Sequence, residues 1–158
     1  GGDALEIVRS SEASEDAEDA VSTVVGESFR AYGSHYSANP RLDPSDALAG
    51  YVEWAVSAYR TDPGNVVLAM RDGRPVGVAT LTRSGSDLEI ELAGLTPAAQ
   101  GRGLYGRLLT AVGRVGVEEG LDRVIISTQV HNTRVQRAWI RAGMKPFAAV
   151  ATVHAMRR

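Results

Sequence analysis

Cysteine is absent from the 158 residues. That absence excludes a disulfide framework, a thiolate metal site and a cysteine nucleophile, so a group transferred by this chain cannot pass through an acyl-cysteine. Histidine is scarce: His35, His131 and His154 are the three, and no two share the i, i+4 spacing of a metal-binding helix face. No metal is expected. No apolar run approaches the ~18 residues that would span a bilayer, and no charged-then-apolar leader opens the chain. A cytoplasmic location with no membrane partner is the expectation.

What is present fills one domain. Hydrophobic residues make up 44% of the chain, enough to bury a core, and the length fits a single unit over residues 3–158. The net charge of −2 conceals an imbalance: residues 1–99 carry 7 basic and 16 acidic side chains, residues 100–158 carry 10 and 3. A near-neutral total speaks against nucleic-acid binding. One half attracting cations beside another attracting anions suits a site that joins a phosphorylated ligand to an amine. Interleaving of the two halves on folding is the plainer alternative.

Ala4–Arg9 reads as a strand, and Ser14 caps a helix whose first turn is acidic. Asp43-Pro44 starts a second helix, which Asp62-Pro63-Gly64 ends. Strands follow over Asn65–Met70, Pro75–Arg83 and Asp87–Leu95, the first pair joined at Asp72-Gly73. From Leu104 apolar residues recur every three or four positions in a long helix. Arg123–Val130 reads as a buried strand, Thr133-x-x-Gln136 as a capping box opening a helix that stops at Gly143, and Lys145–Met156 as a final strand. The order is β-α-α-β-β-β-α-β-α-β. The fold class is therefore α/β in the mixed α+β sense: a mostly antiparallel sheet, closed by a right-handed parallel crossover, with helices on both faces.

Between the third meander strand and the long helix lies Gln100-Gly101-Arg102-Gly103-Leu104-Tyr105-Gly106-Arg107. Glycines allow close backbone approach, the helix start adds partial positive charge, and Arg102 and Arg107 add full charges, so the segment suits a phosphate. Gly101-x-Gly103-x-x-Gly106 also satisfies the dinucleotide-binding fingerprint. That motif, however, needs its glycines directly after the strand and a carboxylate ending the next one. Here Thr96–Gln100 intervene, and the next strand ends in Gln129-Val130.

The run Leu88-Glu89-Ile90, Leu95-Thr96-Pro97 and Gln100-Gly101-Arg102-Gly103 resembles the acetyl-CoA site of the GNAT superfamily of N-acetyltransferases. The resemblance implies that acetyl-CoA is the cosubstrate and that the amides of Gly101 to Gly106 cradle its pyrophosphate. It implies that Ala93, Gly94 and Leu95 hold the pantetheine where their strand splays from the next. It also implies that Asn132 touches the cofactor. Tyr105 departs from the small residue that ends the signature, so its side chain must turn away from the phosphates. Ile126–Gln129, Gln136–Trp139 and Thr152-Val153-His154 weakly resemble nucleotide-amino-sugar acetyltransferases.

Transfer to a primary amine must remove a proton, since such an amine has a pKa near ~10.4. Glu89 and Glu91, two apart on a strand, should share a face, with Leu88, Ile90 and Leu92 on the other, and a carboxylate there could supply the base. The resemblance implies Glu89 as that base, with Glu91, nearer the expected acyl group, second. Two solvent-facing carboxylates would look the same. The resemblance implies a tyrosine that protonates the departing thiolate, but the matching residue is Trp139, whose indole holds its proton. Tyr105, His131 and His154 are the substitutes, and Trp139 is either a cofactor contact or core packing. Tyr32, His35, Tyr36 and Trp54 fall where the family walls its acceptor. The expected partner is a small-molecule amine, and a homodimer is allowed. An acyl-CoA-binding module with weak turnover is the second reading.

Overall fold

The computed structural model describes residues 5–13, 16–32 and 43–151. Ser14, His35, Tyr36 and His154 lie outside them. Five strands form one sheet in chain order: β1 (Leu5–Arg9), β2 (Val66–Arg71), β3 (Arg74–Ser84), β4 (Asp87–Leu95) and β5 (Arg123–Ile126). The pairs from β1 to β4 are antiparallel, and β4/β5 is parallel. Two helices, α1 (Ala17–Phe29) and α2 (Pro44–Thr61), precede β2. Helix α3 (Leu104–Glu118) makes the crossover to β5, and α4 (Thr133–Arg141) follows it.

Both faces of the sheet are covered, so β2 reads Val66-Val67-Leu68-Ala69 with no polar alternation. Val66, Leu68 and Val78 pack with Val21, Val24 and Val25 of α1. Val67, Ala79, Leu81, Leu88 and Ile90 pack with Leu108 and Val112 of α3 on the other side. Each such leucine, fully withdrawn from water, contributes about 1.5–3 kcal/mol.

The ends of the sheet are tied by charge. Arg83 at the end of β3 donates from Nε and Nη2 to the Glu119 carboxylate at 2.8 and 2.7 Å, and Arg9 of β1 reaches the same carboxylate at 3.1 Å. The Arg83 guanidinium is the main cause holding the Glu119 carboxyl below its ordinary value. The stabilisation is therefore full above the ordinary glutamate range and fades as pH falls through the depressed folded value. Arg83→Ala should cost about 1 kcal/mol at neutral pH, because the pair is partly solvated. The difference between urea melts of the two proteins should shrink as pH falls below the ordinary glutamate value of about 4.3 and Glu119 takes up its proton in the parent as well.

Two expected elements are shortened. β5 ends at Ile126 instead of Val130, because local groups claim the carbonyls beyond it: Asn132 N donates to Gln129 O, and Gln136 Nε2 donates to Val130 O at 2.8 Å. The same bonds revise the capping box. Asn132, not Thr133, is the N-cap, accepting from Val135 N at 3.4 Å. Residues 145–151 form no strand and are exposed. Pro146 removes a ladder donor, and the short β5 offers little edge to pair with. The rest of the expected segment, 152–156, lies outside the described residues.

Candidate functional site

The parallel pairing of β4 and β5 covers only Asp87↔Arg123 through Ile90↔Ile126. From Glu91 to Leu95, β4 runs on with β3 on one side and, among the described residues, no strand on the other. A wedge opens there, and its exposed β4 edge can bond an extended ligand as another strand would.

The wedge begins at an irregularity in β4. Thr80 opposes Leu92 and Leu81 opposes Ile90, which leaves Glu91 as the extra residue. Consequently Leu88 and Ile90 belong to the α3-side core, whereas Leu92 belongs to the α1 side. The expected simple alternation, with Leu88, Ile90 and Leu92 on one face, therefore breaks at Glu91. Buried Thr80 steadies the kink, its Oγ1 accepting from the Leu92 amide at 3.1 Å. A threonine inside Val78-Ala79-Thr80-Leu81 was the signal for this, and sequence reasoning passed over it.

The two carboxylates have different surroundings. Glu89 is exposed and still flanked by Thr82 and Ile125. Glu91 is half-buried at the mouth of the wedge, and its Oε2 accepts from Trp54 Nε1 of α2 at 3.2 Å. Phe29, Tyr32 and Tyr51 meet in edge-to-face and tilted contacts with centroids 5.4–5.9 Å apart, in the same cluster as Leu92, the residue after Glu91. Gly94 lets α1 come this close, since a Cβ there would sit 3.0 Å from Phe29 Cε2.

At the other end of the wedge stands the glycine loop. Gly101 and Gly103 have φ of +79° and +72°, in the left-handed region that glycine tolerates best. Gly103 is the N-cap of α3 and brings no capping side chain, so Leu104, Tyr105 and Gly106 lack the partner such a side chain gives. A Cβ built on Gly101, Gly103 or Gly106 meets no atom within 4 Å. The turn is open in front, and exposed Arg102 and Arg107 flank it. A diphosphate fits this chemistry: open space, donors along the helix start, and nearby cations.

Gln100 is exposed but bonded at both ends of its amide. Its Nε2 donates to Leu95 O at 3.2 Å, and its Oε1 accepts from Arg134 Nη1 of α4 at 3.1 Å, so it braces the loop. Arg134 left no sequence signal, because its partner is distant in the chain. Asn132 likewise uses both side-chain ends within the protein, its Nδ2 donating to Thr128 Oγ1 at 3.1 Å. Tyr32, three residues past the end of α1, comes to that hydroxyl at 3.5 Å. Tyr105 turns away from the open loop, and its hydroxyl accepts from Trp139 Nε1 at 3.2 Å. Among the described residues no group of acidic, histidine or cysteine side chains could hold a metal, and no helix is long and apolar enough to cross a membrane. The dinucleotide fingerprint lacks its context, since Thr96–Gln100 separate β4 from Gly101 and β5 ends without a carboxylate.

Comparisons with known proteins agree with this geometry. An uncharacterized N-acetyltransferase of Mycobacterium tuberculosis is 37% identical over 114 residues, 67% of this chain and 72% of that protein. The mycothiol acetyltransferase of Cellulomonas flavigena is 38% identical over 94 residues, covering 52% of this chain and 27% of its own. An aminoglycoside N-acetyltransferase solved with CoA superposes with a TM-score of 0.70 at 15% identity, over 98% of this chain and 97% of that one. The PaiA N-acetyltransferase of Thermoplasma acidophilum, also with coenzyme A, gives 0.69 at 14% identity over 87% of each chain. The profile of the Acetyltransferase (GNAT) family matches residues 27–144, so the chain belongs to the GNAT acetyltransferases, as an acyltransferase whose cosubstrate is acetyl-CoA.

Proposed function

We propose that this chain, as one cytoplasmic domain over residues 3–158, moves the acetyl group of acetyl-CoA directly onto the primary amine of a small molecule. The observation that carries the reading is the open, uncapped turn before α3, set at one end of a strand edge whose other end is Glu91. Acetyl-CoA supplies an activated acyl group on a thiol leaving group. The amides of Gly103 to Gly106 would hold its diphosphate, with Arg102 and Arg107 adding charge, and the β4 edge from Glu91 to Leu95 would take the pantetheine arm. Gln100 and Asn132 hold the loop and the α4 start in place and act on the cofactor indirectly.

The amine enters between α1, α2 and β4. Phe29, Tyr32 and Tyr51 form one wall, and Trp54, 45% exposed, stands at the rim. Glu91 accepts the amine's proton, helped by Glu89 on the same side of the strand. Glu91 takes precedence because it sits where β5 has already left and because Trp54 anchors it. An amino sugar is in line with the aminoglycoside named for the structural neighbours.

The binding-module reading has one observation in its favour: Trp139 cannot give up a proton. Thiol release from acetyl-CoA, followed across a panel of amino sugars, polyamines and aromatic amines, separates the two. A transferase gives amine-dependent release at least ~10-fold above the solvent reaction. A module binds CoA in calorimetry yet releases none.

A further inference from the structure

We infer that the Ser28 hydroxyl, near the end of α1, is a ligand-binding group: it donates to an oxygen of the pantetheine arm of acetyl-CoA where the arm lies along β4. This deepens the transferase reading and rests on it.

Ser28 stands where the pattern of α1 calls for an apolar side chain. It follows Val25, Val24 and Val21 by three, four and seven positions, so it shares their stripe against the sheet, and all three valines are fully buried. Its Oγ is shut off from solvent and, among the described residues, meets no hydrogen-bond partner. Other hydroxyls here avoid that state. Thr61 and Thr110 donate to the helix carbonyl four residues back, at 2.9 and 3.0 Å, and buried Ser10 donates to Pro63 O. A covered hydroxyl with no partner destabilises the free protein, and alanine at position 28 would remove the penalty. A local rule broken at the cost of stability is the mark of a functional position.

The surroundings of Ser28 name the ligand. Gly94 of β4 faces it, since a Cβ built there would come within 3.1 Å of Ser28 Cβ. One turn further on, the Tyr32 hydroxyl reaches Thr128, two residues past the end of β5. Ser28 therefore lies over β4 on the side of the lane that β5 has left. Gly94 is three residues beyond Glu91 toward the glycine loop, about 10 Å along the strand. That interval sets Ser28 apart from the reacting carbonyl and the amine, and beside the arm that links the thioester to the diphosphate. The amides and the hydroxyl of the arm offer the oxygens, and Ser28 supplies the donor. In the free protein its hydroxyl is covered, so the serine turns about χ1 to meet the arm as the wedge fills.

The test compares CoA with 3′-phospho-ADP, which carries the diphosphate and lacks the arm, on the whole chain. Ser28→Ala should raise the Kd for CoA roughly 5–50-fold and leave that for 3′-phospho-ADP within about twofold of the parent's. Without ligand, the same variant should have a higher urea midpoint than the parent. Alanine is also the better helix former, so Ser22→Ala in the same helix measures that part of the gain, and Ser28→Ala should exceed it. A Kd for CoA unchanged by Ser28→Ala would overturn the proposal. So would an equal loss for both ligands, which is the sign of a disturbed loop. A lower urea midpoint would place the hydroxyl in the fold, and a raised KM for the amine with CoA binding unchanged would assign it to the acceptor. Either result also overturns the proposal. A parent protein that neither binds CoA nor releases thiol with the amine panel would overturn the transferase reading itself.

Discussion

Gly103→Val should weaken CoA binding by at least ~100-fold. Gly103 sits at φ +72°, where a β-branched side chain is strained by about 1–3 kcal/mol. Its missing Cβ also faces empty space, the volume the diphosphate would enter. Each amide bond to a charged oxygen is worth about 1.5–3 kcal/mol, and losing two of them corresponds to ~10²–10⁴ in Kd. The control is Gly120→Val. Gly120 has φ +69° and an open Cβ position as well, but it lies past the far end of α3. Both variants should melt several degrees lower, and only Gly103→Val should lose CoA in calorimetry. Equal CoA affinity in the two would remove the loop from the site.

Glu91→Gln should lower kcat by roughly 10²–10³-fold with the Kd for CoA unchanged. The amide keeps the shape and can still bond the Trp54 indole, but it cannot take a proton from the amine. Glu89→Gln should cost less than tenfold, because that side chain is exposed and flanked by Thr82 and Ile125. If the two effects are reversed, Glu89 is the base, as the family resemblance implied. The activity of Glu91→Gln should recover partly as pH rises toward the pKa of the free amine, since more nucleophile then arrives unprotonated. A pH-independent deficit would assign Glu91 to binding instead.

The glycine loop was legible because its requirement is local. Left-handed turns and an approachable backbone at a helix start need glycine, and Gly101-Arg102-Gly103 states that in three letters. The strand order was legible for a similar reason: Asp72-Gly73 and Ser84-Gly85-Ser86 admit few connections other than hairpins. What escaped depends on contacts between distant residues. The irregularity at Glu91 needs the register of β3 against β4, which no periodicity reports, and it broke the expected alternation. The end of β5 is set by Gln136 and Asn132 taking carbonyls ahead of any strand, a competition visible only once α4 is in place. Pairings such as Trp139 with Tyr105 and Arg134 with Gln100 each span 34 residues. Side chains that far apart carry no mutual signal in one sequence. The Tyr105 side chain turned away from the loop, as its size requires.

The claim under all of this is that backbone amides at the start of α3 grip the cofactor's diphosphate. The direct measurement is an amide-resolved NMR titration of the isotope-labelled protein with CoA. The amide protons of Gly103, Leu104, Tyr105 and Gly106 should move downfield and saturate together, while those of the β1–β2 edge stay still. If CoA saturates the protein and these four amides do not move, the cofactor is held elsewhere and the site described here is wrong.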